Sequence, residues 1–373
     1  MSPIFRRIIP MKRFVSLYSG AGGLDLGFIA AGFVPIFAND INVDAMKTYT
    51  AAMDAISKKI GKSSNHKIIT GDIRQVTKLP EKNSAELVIG GPPCQGFSVA
   101  GKMDPNDPRS RHVFDFLAMV KRVQPQAFVM ENVKALAKNK CWAKTIKSVR
   151  KEAEKIGYKT YLEVLNSADY GVPQTRERMF LIGFKNHNIE YTYPQPTVQN
   201  WISVADALHK LPPIGELGNN QTCKARIIAA KKPVLRISPF AGMLFNGQGR
   251  PMNINKPAPT LPASMGGNRT PIVDQEALET GSSQWIEKYH AELQNGGEVI
   301  KSVPIRLRRI SVQEAAAIQA FPEDMPWYGS QCSRYKQIGN AVPPKMAYAV
   351  AKSISSALGL HLEENPSLLD KLF

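Results

Sequence analysis

The 373-residue chain has few acidic residues, few cysteines and no long hydrophobic run. Its 31 Asp and Glu residues stand against 48 Lys and Arg residues, which gives a net charge of +17. That excess favours a polyanionic partner, nucleic acid before an acidic membrane surface, although a solvated basic surface explains it equally well. No run approaches the ~18 apolar residues that a membrane span needs, and no secretory signal is visible. We therefore expect a cytoplasmic protein with no membrane partner.

The four cysteines are too scattered to form a framework. Cys94, Cys141, Cys223 and Cys332 show no C-x-x-C spacing, which argues against a disulfide scaffold and a thiolate zinc site. We predict no bound metal. Hydrophobic residues make up 43% of the chain, which excludes a disordered or fibrous class. The length of 373 residues suggests two or three domains.

Short β-rich runs alternate with helical stretches over the first half of the chain, as is typical of a parallel sheet with crossover helices. The predicted strands are 14–18, 34–38, 66–70, 86–90 and 127–130, with two more runs between 158 and 184. The predicted helices are about 24–31, 42–53, 112–123 and 142–156. We therefore predict an α/β fold with a doubly wound, Rossmann-like domain over residues 1–190.

The composition changes beyond that domain. Residues 191–273 hold eleven of the 27 prolines, and residues 217–273 hold eight Lys or Arg and no acidic residue. Because long irregular segments in compact proteins are usually functional or disordered, and this one contains aromatic residues, we expect an ordered basic surface. It would lie within a smaller, irregular domain over residues 191–327.

Helical order is predicted to return near residue 310. Ser311 and Glu314 fit a capping box, and Phe321-Pro322 is expected to end that helix. A last helix is predicted over about 343–358, within a segment 328–373 that returns to the first domain.

Candidate ligand-binding residues follow three predicted strands. Ser19–Gly23 joins the first strand to the first helix, where glycines permit a tight turn near free N–H groups. Asp40 and Asp72 follow the second and third strands. Each has an alternative explanation, a helix cap for Asp40 and a turn residue for Asp72. Since open α/β sheets bind ligands along this edge, the set indicates a nucleoside-bearing cofactor.

Candidate catalytic residues follow the next two strands. Cys94 lies in a Pro/Gly-rich loop that holds it apart from the core, as a nucleophile requires, although most cysteines are buried apolar residues. Glu131 follows the fifth strand and could protonate a ring nitrogen if burial raises its pKa; the alternative is a helix-initiating Glu-Asn pair. Arg176 and Arg178 alternate along the last strand and would share one face, unless that strand end is simply solvated.

Seven motifs in a fixed order point to one family. They are YSGAGG, GDI, GGPPCQGFS, ENV, QTRER, RRISVQEAAAIQAFP and QIGNAVPP. Their order over residues 14–184 and 306–358 closely resembles that of the cytosine-C5 DNA methyltransferases.

The resemblance implies methyl transfer from S-adenosyl-L-methionine to C5 of cytosine, releasing S-adenosyl-L-homocysteine. It implies that the Cys94 thiolate adds to C6, that Glu131 protonates N3 and that Arg178 contacts the O2 carbonyl. By the same motif matching, Arg176 and Gln95 position the catalytic loop and the DNA.

The resemblance also implies a cofactor pocket. It is built by Tyr18, Gly20, Gly22, Gly23, Asp40, Ile41, Asp72, Ile73, Pro92 and Asn340. Asp40 matches the ribose contact and Asp72 the adenine contact, while Ile41 stands where some members of the family place an aromatic residue. His112 occupies a position where we expect an aliphatic residue, so it is not included.

Double-stranded DNA is the implied partner. Since a base inside a duplex cannot present C6 to a thiolate, the target cytosine has to be flipped out. The implied DNA-binding residues are Ser98, Arg250, Thr260, Leu261, Asn268 and Arg269. For Arg250, Asn268 and Arg269, ordinary phosphate contact or a solvated loop is the alternative to reading base edges. Like compact bacterial and phage enzymes, the chain is expected to act as a monomer on DNA in the cytoplasm of a bacterial or phage-infected cell, paired with a restriction endonuclease.

Three other functions are compatible with parts of the sequence. One sub-branch of the family methylates tRNA, and a non-catalytic DNA-binding protein could keep the fold. A zinc deaminase also flips cytosine, but Phe97 stands where its second cysteine would be.

Overall fold

A computed structural model describes residues 12–60, 66–93 and 111–372. The strands in these ranges are β1 (Arg13–Leu17), β2 (Val34–Asp40), β3 (Lys67–Thr70), β4 (Leu87–Gly90), β5 (Ala127–Val133), β6 (Lys159–Asn166), β7 (Gln174–Thr175), β8 (Glu177–Phe184), β9 (Ala229–Val234), β10 (Met243–Phe245), β11 (Ala258–Pro259), β12 (Ile272–Asp274) and β13 (Leu307–Arg309). The α-helices are α1 (Gly23–Ala30), α2 (Val43–Ile60), α3 (His112–Val123), α4 (Lys134–Lys138), α5 (Ala143–Lys155), α6 (Val204–Leu208), α7 (Gln275–Thr280), α8 (Trp285–Gln294), α9 (Val312–Ile318), α10 (Gln331–Asn340), α11 (Pro344–Ala357) and α12 (Pro366–Leu372).

Seven of these strands form a sheet in the order β3-β2-β1-β4-β5-β8-β6. The first five are mutually parallel, whereas β8 runs antiparallel to both of its neighbours. Alternate residues of β5 enter opposite cores: Val129 packs in one with α1 and α2, and Phe128 in the other with α3 and α5. Helices therefore cover both faces, and the prediction of a doubly wound α/β fold is confirmed.

Helix α11 packs directly against α1. A Cβ atom added to Gly27 would lie 2.5 Å from the Cβ of Ala347 and 2.6 Å from the carbonyl oxygen of Pro344. Only a glycine allows the two helices to approach this closely. The contact fixes α11 beside the loop that precedes α1.

The region after β8 is built from short elements. β9 pairs with β10, β11 pairs in parallel with β7, and β12 pairs with β13. Leu244, Ile272, Ile286 and Tyr289 are among the buried residues of a small separate core there. Helix α6 lies within this region, and α7 and α8 follow from Gln275, so the expectation that helical order returns near 310 is wrong.

The predicted capping box at the start of α9 is present: the Ser311 side chain accepts from the Glu314 N–H, and the Glu314 side chain accepts from the Ser311 N–H. The helix ends at Ile318 rather than at Phe321-Pro322. Its end comes early because Ala320 adopts a left-handed φ of +55°.

Candidate functional site

The loop between β1 and α1 is shaped by glycines. Gly20 and Gly22 have φ values of +55° and +87°. A Cβ added to Gly20 would meet no atom within 4 Å, so the loop faces open space there. At Gly22 the same atom would lie 2.9 Å from the Tyr49 ring. The loop therefore leaves room for a ligand on one side and packs tightly on the other.

Asp40 ties the end of β2 to this loop. Its carboxylate accepts hydrogen bonds from the N–H groups of Gly20 at 2.9 Å and Asn42 at 2.8 Å. Burial raises the pKa of Asp40, and the backbone hydrogen bonds oppose that change. The neighbouring Asn39, which sequence reasoning missed, donates to the carbonyls of Ile69 and Gly71. Together these contacts hold the ends of β1, β2 and β3 side by side.

Asp72 caps the short 3-10 turn Ile73–Gln75 and pairs with Arg74. The Arg74 Nη2 lies 2.5 Å from the Asp72 Oδ2. This hydrogen-bonded pair lowers the pKa of Asp72 to about 2. Ile73 is buried, whereas Ile41 is 69% exposed at the end of β2. Ile41 therefore leaves a large apolar side chain uncovered at the edge where the predicted cofactor residues meet.

The C-terminal segment reaches the same loop. A Cβ at Gly23 would lie 2.3 Å from the carbonyl oxygen of Val342 and 3.2 Å from the Cβ of Ala341. Asn340, at the end of α10, is exposed. The predicted cofactor residues from both ends of the chain thus meet at one edge of the sheet.

The end of β5 carries an ion pair between a buried glutamate and a partly buried arginine. Glu131 is 8% exposed, and its Oε1 lies 3.1 Å from the Nε of Arg178 on β8. Burial raises the pKa of Glu131, and the guanidinium groups of Arg178 and then Arg176 oppose the rise. A carboxyl group with this environment can hold a proton and deliver it to a bound base.

Gly91 and Pro92, which precede the predicted nucleophile Cys94, are held beside this pair by contacts with β5. A Cβ at Gly91 would lie 2.8 Å from the Glu131 Oε2, and the Asn132 side chain donates to the Pro92 carbonyl at 3.0 Å. The predicted site residues Cys94, Gln95 and Ser98 lie outside the described residues.

Arg176 differs from Arg178 in its surroundings. It lies between β7 and β8 rather than within a strand and is 1% exposed. Its guanidinium donates to the carbonyls of Gly339 at 3.0 Å and Leu261 at 3.5 Å. Arg176 therefore joins three segments of the chain, as a positioning residue would.

The predicted DNA-binding residues divide into two groups. Arg250, Asn268 and Arg269 are exposed on two adjoining loops, which the Gly249 N–H joins by a 2.9 Å hydrogen bond to the Asn268 carbonyl. Thr260 is exposed, but Leu261 is 1% exposed in the core, and its N–H bonds to Gln174. The side chain of Leu261 is therefore not available to a base edge.

His112 is a site residue that sequence reasoning set aside. Its Nδ1 lies 3.3 Å from the Tyr18 hydroxyl and 3.1 Å from an Asp115 carboxylate oxygen. Burial raises the pKa of Tyr18. The only sequence signal was the unexpected residue type at position 112.

Within residues 12–60, 66–93 and 111–372, none of the helices is long and apolar enough to cross a membrane. The same residues contain no group of three or more His, Cys, Asp or Glu side chains arranged to hold a metal ion.

Comparison with known proteins identifies the family. Residues 12–356 match the model of the C-5 cytosine-specific DNA methylases. The chain is 31% identical to the Type II methyltransferase M1.HphI of Haemophilus parahaemolyticus, over 91% of this chain and 86% of that protein. It is 33% identical to M.FnuDI of Fusobacterium nucleatum, with 93% and 95% covered.

Solved structures agree on the fold. The S. pombe Dnmt2 methyltransferase superposes with a TM-score of 0.62 at 17% identity, covering 93% of this chain and 98% of that one. The chain therefore belongs to the C-5 cytosine-specific DNA methylase family. Within it, the protein is a DNA cytosine-5-methyltransferase, the enzyme class that its motifs predicted.

Proposed function

We propose that the enzyme methylates C5 of a flipped cytosine in a specific duplex DNA sequence through a covalent bond between Cys94 and C6. The observation that carries this proposal is the pair of buried Glu131 and partly buried Arg178 beside the Gly91–Pro93 segment, which directly precedes Cys94 in the chain. An acid, a cation and the entry to a nucleophile loop come together at one sheet edge.

Each of these residues has a distinct role in the proposed reaction. The Cys94 thiolate forms an S–C6 bond, and the displaced ring electrons make C5 nucleophilic. Glu131 gives its proton to N3, which neutralises the negative charge that the addition creates. Arg178 donates to the O2 carbonyl and stabilises charge there. After methyl transfer, N3 returns its proton to Glu131 and solvent water accepts the C5 proton. The electron pair of the C5–H bond forms the C5–C6 double bond and expels the Cys94 thiolate, which restores the aromatic ring.

The β1–α1 loop fits a nucleoside-bearing methyl donor. Gly20 opens onto free space, and Asp40 and Asp72 stand at the ends of adjacent strands. The proposed pocket comprises Tyr18, Gly20, Gly22, Gly23, Asp40, Ile41, Asp72, Ile73, Pro92 and Asn340. S-adenosyl-L-methionine, when bound, supplies an electrophilic methyl group.

The proposed DNA interface is the exposed basic surface after β8. Arg250, Asn268 and Arg269 lie on adjoining loops and are long enough to reach phosphates or base edges. Thr260 adds a hydroxyl close to β7, and Ser98 belongs to the set by motif matching. Holding the duplex there would keep the flipped cytosine beside Glu131.

We also propose a division of the chain and a cellular setting. The cofactor-binding and catalytic domain would span 1–190, the target-recognition domain 191–327 and the returning segment 328–373. Because the relatives are Type II methyltransferases, we infer a cytoplasmic enzyme that acts as a monomer and protects DNA from a cognate restriction endonuclease.

The test is methyl transfer from radiolabelled S-adenosyl-L-methionine to unmethylated duplex DNA, with nucleoside analysis of the product. Label in 5-methylcytosine that Cys94→Ala abolishes is the expected result. Label in N4-methylcytosine or N6-methyladenine, or full activity of Cys94→Ala, would contradict the covalent mechanism. Methylation of a tRNA transcript but not of any duplex DNA would show the substrate to be RNA.

A further inference from the structure

Gln319 lies at a junction that none of the proposed catalytic or binding roles explains. It follows the last turn of α9 and is fully buried, with an exposure of 0%. Its Nε2 donates to the Ile338 carbonyl at 2.6 Å and to the Ala341 carbonyl at 3.3 Å. Its Oε1 accepts from the Gln174 Nε2 at 2.9 Å. Both the Nε2 donor and the Oε1 acceptor of the Gln319 side chain are therefore hydrogen-bonded.

Gln174 extends the junction to the region that bears the proposed DNA-binding residues. It lies on β7 and is also fully buried. While its Nε2 donates to Gln319, its Oε1 accepts from the Leu261 N–H at 3.1 Å. The two amides thus join β7, the Thr260–Leu261 segment and the α10–α11 turn.

The three segments are in close contact with one another. A Cβ at Gly339 would lie 2.6 Å from the Pro262 carbonyl oxygen. The Thr260 hydroxyl donates to the Thr175 carbonyl at 2.9 Å. Thr175 is three residues from Arg178, so a shift of the Thr260–Leu261 segment would be passed directly to the proposed catalytic strand.

We propose that Gln319 is a positioning residue that holds the segment bearing the proposed DNA-binding residue Thr260 in register with Arg178. An amide suits this place because it donates to carbonyls on one side and accepts an N–H on the other. A displacement of a catalytic group by about 1 Å can lower the reaction rate by about 100-fold. If Arg178 reaches its catalytic position only when the Thr260 segment is correctly placed on the DNA, the enzyme methylates its cognate sequence faster than sequences that differ by one base. The inference rests on the proposed methylation of DNA.

The test compares methylation rates at different sequences of the same DNA in a single reaction. Unmethylated plasmid DNA is incubated with wild type and S-adenosyl-L-methionine, and bisulfite sequencing gives the initial rate at every cytosine. The rate at the best sequence is divided by the rate at sequences that differ by one base. Loss of folded enzyme lowers both rates equally, so this ratio does not respond to a merely structural role.

For Gln319→Leu we expect the rate ratio to fall by about 10-fold or more. The variant removes the acceptor of the Gln174 Nε2, so the Thr260–Leu261 segment can shift relative to Arg178. Gln319→Glu retains the volume and the acceptor for the Gln174 Nε2, and its buried carboxyl group, when protonated, can still donate one O–H to the Ile338 carbonyl, so its ratio should fall less. The matched control is Gln284→Leu. Gln284 is a buried glutamine whose amide hydrogen-bonds to the backbone of Ile254 and Met252, and its ratio should stay unchanged.

The outcomes separate the two proposals. If wild type leaves no 5-methylcytosine in the plasmid, the proposed function fails. If wild type methylates defined sites and the ratios of both Gln319 variants match wild type, the positioning role is wrong. An equal fall for Gln284→Leu would also overturn it.

Discussion

The Glu131 Oε1 lies 3.1 Å from the Arg178 Nε. Glu131 lies near the end of β5 and Arg178 near the start of β8, on adjacent antiparallel strands of the central sheet. Burial raises the pKa of Glu131, while the arginine opposes that rise. Burial therefore favours the protonated form of the Glu131 carboxyl group. The Arg178 guanidinium places a fixed positive charge beside it. In the proposed reaction the proton goes to N3 and the charge faces O2.

Glu131→Gln should lower the single-turnover rate of methyl transfer by about 100-fold or more, because an amide can donate a hydrogen bond but cannot transfer the proton. The wild-type rate should also fall as the pH rises through the raised pKa of Glu131, since the ionised carboxylate has no proton to give. That alkaline limb should be absent from the variant. Rapid-quench assays with saturating DNA and cofactor measure both effects.

Glu177→Gln is the matched control for this experiment. Glu177 is exposed on the same strand as Arg178 and pairs with Lys134 at 2.7 Å. We expect a rate and a pH profile like those of wild type. A Glu131→Gln enzyme that kept both would exclude Glu131 as the acid.

Gly91→Ala tests the geometry of the same carboxylate. The added methyl group would lie 2.8 Å from the Glu131 Oε2, closer than real contacts allow, so the carboxylate would have to move. We expect about a 10-fold loss of single-turnover rate with little change in the melting temperature. Gly267→Ala, where a Cβ meets nothing within 4 Å, is the control. Unchanged methyl transfer by Gly91→Ala would show that this contact does not position Glu131.

Much of the fold was predictable because it is encoded locally. β2 and β5 each contain an apolar run that is followed, within the strand, by polar residues at the ligand edge: Asn39-Asp40 in β2 and Glu131-Asn132 in β5. The capping box at Ser311 and Glu314 also depends on residues only three apart. Patterns of this kind need no knowledge of distant contacts.

The remaining features depend on contacts between residues far apart in sequence. Nothing local indicates that Leu261 turns into the core, or that Gln174 meets a glutamine 145 residues away. Alternation along the strand suggested that Arg176 and Arg178 share one face, but Arg176 falls in the break between β7 and β8. Its burial against the Leu261 and Gly339 carbonyls follows from tertiary packing alone.

Asp40→Asn should weaken binding of S-adenosyl-L-homocysteine. The carboxylate accepts from two backbone N–H groups, and an amide oriented to accept from one presents its own N–H₂ to the other. Losing one hydrogen bond to a charged group should weaken binding by about 10-fold. Isothermal titration calorimetry measures it, with the exposed Asp370→Asn on α12 as control. An unchanged dissociation constant would mean that Asp40 does not shape the pocket.

Asp25 makes stability depend on pH. It is fully buried on α1, and its carboxylate accepts from the Ser16 hydroxyl and the Tyr49 hydroxyl, both at 2.9 Å. Burial raises its pKa to about 7, against about 3.9 in an unfolded chain. Between these values the folded chain keeps a proton that the unfolded chain has lost. The free energy of unfolding should therefore fall as the pH rises through this window, by about 4 kcal/mol in total.

Asp25→Asn should remove this dependence, because the amide has no proton to lose. Urea unfolding at intervals between about pH 5 and about pH 8 should show a falling free energy for wild type and a flatter profile for the variant. Asp54→Asn, an exposed position on α2, should keep the wild-type slope. If wild type and Asp25→Asn changed in parallel across the range, the Asp25 carboxyl would have to be ionised throughout. The hydrogen bonds from Ser16 and Tyr49 would then outweigh its burial.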